Sequence, residues 1–233
     1  MFNFSGFQVL TFDCYGTLID WESGILGALR PVLAAHGKNI SDAGLLATYG
    51  ELEAEAEQGG YRAYREVLQS VVRGLGARLG FSPSESEARS LPDSLTNWRP
   101  FPDTVEALRR LKARYRLAVI SNIDDDLFAG SARQLAVAFD FVVTAQQARC
   151  YKPDHRIFNL ALDRIGVAPE AILHCAQSIY HDVAPANALG LASVWVHRPS
   201  QRPGAGATRP ASAKPDLEVS SLKMLADVVC AGN

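Results

Sequence analysis

Four short polar motifs are spread along the chain, and each contains side chains that could take part in catalysis. They are Asp13 with Tyr15-Gly16-Thr17, Ser121-Asn122, Lys152-Pro153, and Asp182. A carboxylate can attack as a nucleophile, a lysine can balance its charge, and hydroxyl or amide groups can bind an anion. One Asp beside a strand would carry little information, because turns are rich in Asp. Four motifs in this order instead predict one catalytic site around Asp13.

The segments that precede these motifs have the pattern of buried strands. Short apolar runs at residues 8–12, 117–120, 141–144, 172–175 and 193–196 alternate with segments of helical periodicity. This alternation predicts an α/β fold with a Rossmann-like, doubly wound and mostly parallel sheet. Ligands of such sheets bind beyond the carboxyl ends of the strands, where the four motifs fall.

A helical insertion separates the first strand from the rest of the sheet. Helical periodicity over residues 25–36, 41–58 and 61–79 predicts a small α-helical cap domain at residues 18–99, which would cover Asp13. The core domain is then expected at residues 1–17 and 100–233. The cap glutamates are interpreted as a solvated helix face, with a leaving-group site as the less favoured alternative; they are Glu51, Glu53, Glu55 and Glu57. Further helices are predicted at 103–115, 127–137, 154–165, 184–189 and 222–229, a last strand at 217–219, and a surface loop at 199–215.

Composition narrows the class of protein. The 233 residues are 48% hydrophobic, enough for one α/β core or a core with a small second module. A net charge of -2 without basic runs argues against nucleic-acid partners. The four cysteines form no CxxC pair, which argues against a zinc site or a disulfide framework. Neither a signal peptide nor a membrane span is expected, and a cytoplasmic location is predicted.

The motifs carry a family resemblance over nearly the whole chain. FDCYGT around Asp13, ISN with Ser121, YKP with Lys152 and HDVAPANALG with Asp182 resemble the four motifs of the haloacid dehalogenase superfamily of hydrolases. The resemblance implies that Asp13 is the catalytic nucleophile and that Thr17 orients it. It also implies that residues 18–99 form the cap of that family.

Two positions indicate which branch of this superfamily the chain resembles. Its phosphatases have a second Asp two residues after the nucleophile, where this chain has Tyr15, a poor acid with a reference pKa of about 10. Their fourth motif has two acids that help to hold magnesium, whereas Asp182 stands nearly alone. We therefore expect no cofactor. Lys152 would balance Asp13 and Asp182 and keep Asp13 ionised.

The chain thus resembles the 2-haloacid dehalogenase branch, which implies a small 2-substituted carboxylic acid as substrate and an aspartyl-ester intermediate. Ser121 and Asn122 would bind the substrate carboxylate, and the base for ester hydrolysis is left open between Asp182 and His181. Further candidates for substrate binding are Tyr15, Trp21, Ser178 and His181. For Tyr15, packing under the cap is as well supported as contact with the substrate. For His181, a structural role is as well supported as a role in proton transfer. His174 and Cys14 are expected to be structural.

The leaving group stays open between a halide and a ring amine. The arginine that receives the halide in that branch has no counterpart in residues 37–60. Stretches such as FDCYGTLIDWE and SIYHDVAPAN look closer to azetidine-2-carboxylate hydrolase, a relative that opens a strained ring. A magnesium-dependent phosphatase or phosphonatase and a non-enzymatic binding protein are the alternative functions. The sequence does not fix the oligomeric state, and a homodimer is compatible with it.

Overall fold

A parallel sheet lies at the centre of the structure. The computed structural model describes residues 3–198, 207 and 211–231. In this part of the chain six strands form the sheet: Val9–Phe12 (β1), Arg116–Ser121 (β2), Phe141–Thr144 (β3), Ile172–Ala176 (β4), Ala192–Val196 (β5) and Leu217–Val219 (β6). Their order is β3-β2-β1-β4-β5-β6, and every pairing is parallel. The predicted doubly wound parallel sheet is confirmed.

The central strands are buried on both faces. All residues of β1 and β4 are buried, as are those of β2 after Arg116. Near-continuous apolar runs of this kind are typical of parallel sheets that helices cover on both sides. β2 and β3 lie on one side of β1, and β4 to β6 lie on the other. The connections therefore diverge between β1 and β4, which opens a crevice at the carboxyl ends of these two strands.

Helices pack around the sheet and above its carboxyl edge. They are Trp21–Ala35 (α1), Asp42–Ala56 (α2), Tyr64–Leu79 (α3), Glu85–Ala88 (α4), Ser90–Ser94 (α5), Thr104–Lys112 (α6), Asp125–Leu135 (α7), Ala145–Ala148 (α8), His155–Ile165 (α9), Ala184–Ala188 (α10) and Leu222–Ala231 (α11). Short 3₁₀ turns lie at Leu95–Asn97 and Pro169–Ala171, and one π-helical turn lies at Ile179–Val183.

The helices α1 to α5 pack against one another. Apolar side chains of α1, α2 and α3 share one buried cluster, which includes Ile25, Leu45, Leu68 and Leu75. The two connections to the sheet run side by side, because Ile19 pairs with Pro100 in an antiparallel bridge. This arrangement agrees with a cap inserted after β1. The exact domain boundaries, 1–17 with 100–233 and 18–99, stay predictions.

The starts of α1 and α3 differ by three or more residues from the predicted 25 and 61, and the capping groups explain both differences. α1 begins at Trp21 because the Asp20 side chain accepts a hydrogen bond of 3.2 Å from Ser23 N. α3 begins at Tyr64, where the distant Asp124 caps it: Oδ1 accepts from Tyr64 N at 2.9 Å, and Oδ2 from Arg65 N at 3.0 Å.

Within the described ranges, no helix has both the length and the apolarity to cross a membrane. Of the loop predicted at 199–215, residues 199–206 and 208–210 lie outside the described residues.

Candidate active site

Asp13 directly follows β1, and both of its carboxylate oxygens are held. Oδ1 accepts a hydrogen bond of 2.8 Å from Lys152 Nζ, and Oδ2 accepts one of 2.6 Å from Thr17 Oγ1. Asp13 is only 7% exposed. Thr17 Oγ1 in turn accepts a bond of 2.9 Å from Gln177 N, so the group that orients Asp13 is itself fixed. The carboxylate is thereby presented in one orientation.

Gly16 shapes the turn between these two residues. Its φ is +93°, a conformation that side-chain-bearing residues rarely adopt. A Cβ atom there would lie 3.0 Å from Trp21 Nε1. The turn therefore needs glycine both for its backbone angle and for the close approach of Trp21.

Lys152 is buried between two carboxylates. Its Nζ donates to Asp13 Oδ1 at 2.8 Å, to Asp182 Oδ1 at 2.7 Å and to the carbonyl of Ile120 at 3.0 Å. All three ammonium protons are thus used. The Asn122 amide holds the Lys152 backbone at both ends, accepting from its N at 2.7 Å and donating to its O at 3.2 Å. One amide N–H of Asn122 remains for a bound molecule.

Asp182 lies in the π-helical turn that follows β4, a helix type often found at functional sites. Besides the Lys152 bond, Oδ1 lies 3.1 Å from His174 Nε2. His174 Nδ1 lies 2.8 Å from the hydroxyl of Thr11, its register partner on β1. Because Asp182 is an acceptor, the proton of their hydrogen bond lies on His174 Nε2. His174, expected to be only structural, therefore connects the sheet to the site.

Burial and charge move the pKa values of the two carboxyls apart. Burial raises the pKa of Asp13 and Asp182 raises it further, while Lys152 opposes both. The prediction from sequence considered only the effect of Lys152 on Asp13. The effect of burial is larger, so the pKa of Asp13 lies above that of a free aspartate. For Asp182, Lys152 and His174 outweigh burial and lower the pKa. The two carboxylates raise the pKa of Lys152 despite its burial, so the lysine is charged.

A cavity of about 50 Å³ lies against Asp13; we call it the Asp13 cavity. It brings together nine of the ten predicted site residues, which are Asp13, Tyr15, Trp21, Ser121, Asn122, Lys152, Ser178, His181 and Asp182. Thr17, the tenth, acts through its bond to Asp13. Cys14 packs in the buried apolar cluster, as expected.

Two buried polar atoms beside this cavity have no partner. Ser121 Oγ and Asp182 Oδ2 form no hydrogen bond within the described residues. Both residues are at most 1% exposed. Since buried polar atoms are normally paired, such atoms at a cavity mark places where a substrate or water can bind.

The other cavity residues form its walls. The Tyr15 hydroxyl lies 2.8 Å from Ser131 Oγ, and its ring meets Trp98 edge-on at 5.9 Å between centroids. Burial raises the pKa of Tyr15 well above its usual range, so it presents a neutral side chain to the cavity. Ser178 Oγ lies 3.2 Å from His181 Nδ1 and accepts from His181 N at 2.9 Å.

The family follows from comparison with known proteins. A family model described as haloacid dehalogenase-like hydrolase matches residues 7–190. The chain belongs to the haloacid dehalogenase-like hydrolases. It is therefore a hydrolase of the superfamily that its four motifs predicted.

Similar proteins of known activity are 2-haloacid dehalogenases. The (S)-2-haloacid dehalogenase of Pseudomonas fluorescens is 29% identical over 223 residues, 92% of this chain and 93% of that protein. A crystal structure of an L-2-haloacid dehalogenase aligns with a TM-score of 0.81 and 25% identity, covering 97% of this chain and 99% of that one. The L-2-haloacid dehalogenase of Xanthobacter autotrophicus has the same fold, with a TM-score of 0.81, 22% identity and coverage of 97% and 100%.

In this haloacid dehalogenase-like hydrolase, the expectation for the cap glutamates was partly wrong. Glu51 and Glu55 are exposed and pair with Arg78. Glu53 is instead buried and lines the Asp13 cavity, as the half-buried Glu57 also does. The signal was present, because helical spacing places Leu46, Tyr49 and Glu53 on one face of α2.

Sequence reasoning also missed Tyr64 and Gln177, which line the same cavity. Gln177 directly follows β4, so its place at a strand end was an available signal, whereas Tyr64 begins α3 and no polar motif marked it. A larger cavity of about 270 Å³ shares Glu57, Lys152 and His181 with the Asp13 cavity. Its other lining residues include Arg149 and Tyr151. This larger cavity adjoins the site but does not contain Asp13.

The site residues of this hydrolase do not fit a magnesium ion. The Asp13 and Asp182 oxygens that face each other are bridged by the Lys152 ammonium. Tyr15 supplies a neutral phenol where the phosphatases of the superfamily have a carboxylate. Across the described ranges, no group of three or more His, Cys, Asp or Glu is placed to hold a metal.

Proposed function

We propose that this hydrolase displaces a substituent from the α-carbon of a small 2-substituted carboxylic acid through an ester on Asp13. The observation that carries the proposal is the pair of hydrogen bonds that fix both oxygens of buried Asp13 at the wall of a small cavity. A fixed, partly desolvated carboxylate is suited to attack carbon. The similarity to 2-haloacid dehalogenases supports the same substrate class.

The substrate carboxylate is proposed to bind at Ser121 and Asn122. The Ser121 hydroxyl has no partner among the described residues, and Asn122 has one amide N–H left. Both residues line the Asp13 cavity. The rings of Tyr15 and Trp21 form walls beside them.

In the first step an oxygen of Asp13 bonds to the α-carbon, and the substituent leaves with the bonding electron pair. The attacking carboxylate loses its charge as it becomes an ester. Lys152 keeps Asp182 as its partner throughout, at 2.7 Å. The bond from Thr17 keeps Asp13 oriented toward the cavity.

In the second step water attacks the carbonyl carbon of the ester, which releases a 2-hydroxy acid and restores Asp13. We assign Asp182 as the group that holds and deprotonates this water, because its Oδ2 is buried and unpartnered within the described residues. His174 and Lys152 fix the orientation of Asp182 through Oδ1. His181, at the same cavity, is the other candidate base.

The leaving group is proposed to be a ring amine, as in azetidine-2-carboxylate hydrolase, rather than a halide. A departing halide needs a positively charged partner. Lys152, shared by two carboxylates, is the only Lys or Arg among the described residues that line the Asp13 cavity. Arg30 is bound to Asp42 and the Ile40 carbonyl, and Arg62 to Ser70 and the Glu66 carbonyl.

No cofactor is proposed for either step. The proposed partner is the small-molecule substrate, and a homodimer stays compatible with the proposal. A cytoplasmic location stays part of the proposal. It is supported by four cysteines that are all free, of which Cys14, Cys150 and Cys175 are buried.

A substrate panel with and without EDTA tests the proposed function. The panel contains both enantiomers of 2-chloropropionate, fluoroacetate, azetidine-2-carboxylate and an aryl phosphate. We expect turnover of at least one 2-substituted acid at an unchanged rate in EDTA, and none of the aryl phosphate. Turnover of the aryl phosphate alone, abolished by EDTA, would contradict the proposal.

A further inference from the structure

Glu53 is a buried carboxylate with one oxygen bound and one free. It is 9% exposed and lines the Asp13 cavity. Oε1 accepts hydrogen bonds from the hydroxyls of Tyr49, at 2.8 Å, and Tyr64, at 2.5 Å. Oε2 accepts no hydrogen bond from any described residue. This oxygen is therefore the one available to a molecule bound in the cavity.

Glu53 has no positively charged partner in the described part of the chain. An ionised carboxylate is costly to bury without such a partner, and two phenol hydrogen bonds offset only part of the cost. Burial accordingly raises the pKa of Glu53, while the bonds from Tyr64 and Tyr49 oppose this rise. A positively charged group on the substrate would supply the missing partner.

The charge of the whole cavity favours the same conclusion. Four carboxyl groups line it, those of Asp13, Glu53, Glu57 and Asp182, against one lysine. A substrate with only a negative carboxylate would add a further negative charge beside these four carboxyl groups. A substrate that also carries a positive charge matches this cavity better.

We propose that Glu53, held by Tyr49 and Tyr64, binds the leaving group, and that this group is a protonated amine attached to the substrate α-carbon. The proposal rests on the proposed function, in which Asp13 attacks that carbon. It adds the residue that selects the leaving group. Glu53 would contact the substrate directly, whereas Tyr49 and Tyr64 are positioning residues.

The step balances without a further reactant. An oxygen of ionised Asp13 bonds to the α-carbon, the carbon–nitrogen bond breaks, and its electron pair goes to nitrogen. The ammonium becomes a neutral amine and Asp13 becomes a neutral ester. Burial disfavours the charged form of an amine, and a nearby carboxylate opposes this effect. Glu53 therefore keeps the nitrogen protonated until it leaves, so that an amide anion need not depart.

The first experiment compares Glu53→Gln with wild type on azetidine-2-carboxylate and on 2-chloropropionate. Glutamine keeps an oxygen for the two tyrosine hydroxyls but lacks the charge. We expect kcat/KM for the amine substrate to fall about 30-fold or more, as when a buried charge pair loses one partner. Any turnover of 2-chloropropionate should be unchanged or faster. Glu51→Gln, on the exposed side of α2, is the matched control and should leave both values unchanged.

A parallel loss on both substrates, or no loss on azetidine-2-carboxylate, would overturn the proposal. Urea unfolding of each variant establishes that it is folded. If Glu53→Gln does not fold, a binding measurement that does not need this variant tests the proposal instead. Isothermal titration of Asp13→Asn, which cannot form the ester, compares azetidine-2-carboxylate with cyclobutanecarboxylate, a ligand of similar shape without nitrogen. We expect the amino acid to bind at least about 10-fold more tightly. Equal affinities would contradict an amine site at Glu53.

Mass spectrometry separates this proposal from the function on which it rests. If wild type forms an ester on Asp13 from 2-chloropropionate but not from azetidine-2-carboxylate, Glu53 does not select an amine and the general function stands. If no member of the panel forms an ester on Asp13, the proposed function itself is contradicted, and the role of Glu53 that rests on it falls with it. An ester from azetidine-2-carboxylate that Glu53→Gln forms more slowly supports both.

Discussion

Lys152 and Asp13 form a buried ion pair, with 2.8 Å between Nζ and Oδ1. The same ammonium lies 2.7 Å from Asp182, so one positive charge is shared by two carboxylates. Removal of one partner from such a group leaves uncompensated buried charge, whereas an exposed ion pair contributes little. The position of Lys152 therefore affects both the stability of the fold and the charge of the nucleophile.

Lys152→Met should lower the free energy of unfolding by about 3–5 kcal/mol at neutral pH, because Asp13 and Asp182 lose their common cation. Urea unfolding measures this change. Lys112→Met is the matched control, since the pair of Lys112 and Asp140 is partly exposed and should cost about 1 kcal/mol or less. Equal decreases in the free energy of unfolding of the two variants would show that the buried ion pair stabilises the fold no more than the partly exposed one.

The rate should fall as the pH is lowered, because only ionised Asp13 can attack. Burial raises the pKa of Asp13 in the folded protein, so the active fraction increases with pH through a midpoint above about 3.9, the value of a free aspartate. The pH dependence of kcat/KM measures this midpoint, with fluorescence at each pH to confirm that the protein is folded. A rate that stays constant down to pH 4 would contradict the raised pKa.

Ser121→Ala should raise KM about 10-fold and change kcat little, because the hydroxyl is proposed to bind the substrate carboxylate in both ground and transition states. Stability should be unchanged or slightly higher, since a buried hydroxyl without a partner is removed. Ser90→Ala is the control, because Ser90 Oγ is also buried and has no hydrogen-bond partner within the described residues. A similar KM in both variants would argue against substrate binding by Ser121.

Asp124→Ala should destabilise the protein by about 1 kcal/mol, because the helix that begins at Tyr64 loses its capping carboxylate. Since Tyr64 also holds Glu53, turnover of the amine substrate should fall as well. Ser84→Ala removes the N-cap of a short helix whose residues do not line the site, so it should cost similar stability and leave turnover unchanged. Unchanged turnover in Asp124→Ala would show that the cap does not position Tyr64 for catalysis.

The sequence predicted the sheet and most of the site because both depend on local pattern. The buried strands are apolar runs in the sequence, and the motifs at or after their ends identified Asp13, Ser121 and Asp182. The strand order β2-β1-β4 then brings these ends together. Lys152 follows β3 and α8 rather than a strand directly, and its motif YKP identified it.

The features that were missed depend on contacts between distant segments. The start of α3 is fixed by Asp124, a residue 60 positions away from Tyr64 in the chain, which no local signal reveals. Glu53 was grouped with the exposed glutamates of α2 although helical spacing places it on the face of Leu46 and Tyr49, and its contact with Tyr64 of α3 was not visible in the local pattern. His174 reads as an ordinary strand residue, and its role emerges only from its contact with Asp182.

A single-turnover reaction in oxygen-18 water tests the central claim, that Asp13 attacks the substrate and is then hydrolysed. With enzyme in excess over a substrate found in the panel, peptide mass spectrometry locates the label. We predict that the first turnover places oxygen-18 in the carboxylate of Asp13, and that the product carries unlabelled oxygen from that residue. Oxygen-18 in the product alone, with none in Asp13, would contradict the ester intermediate.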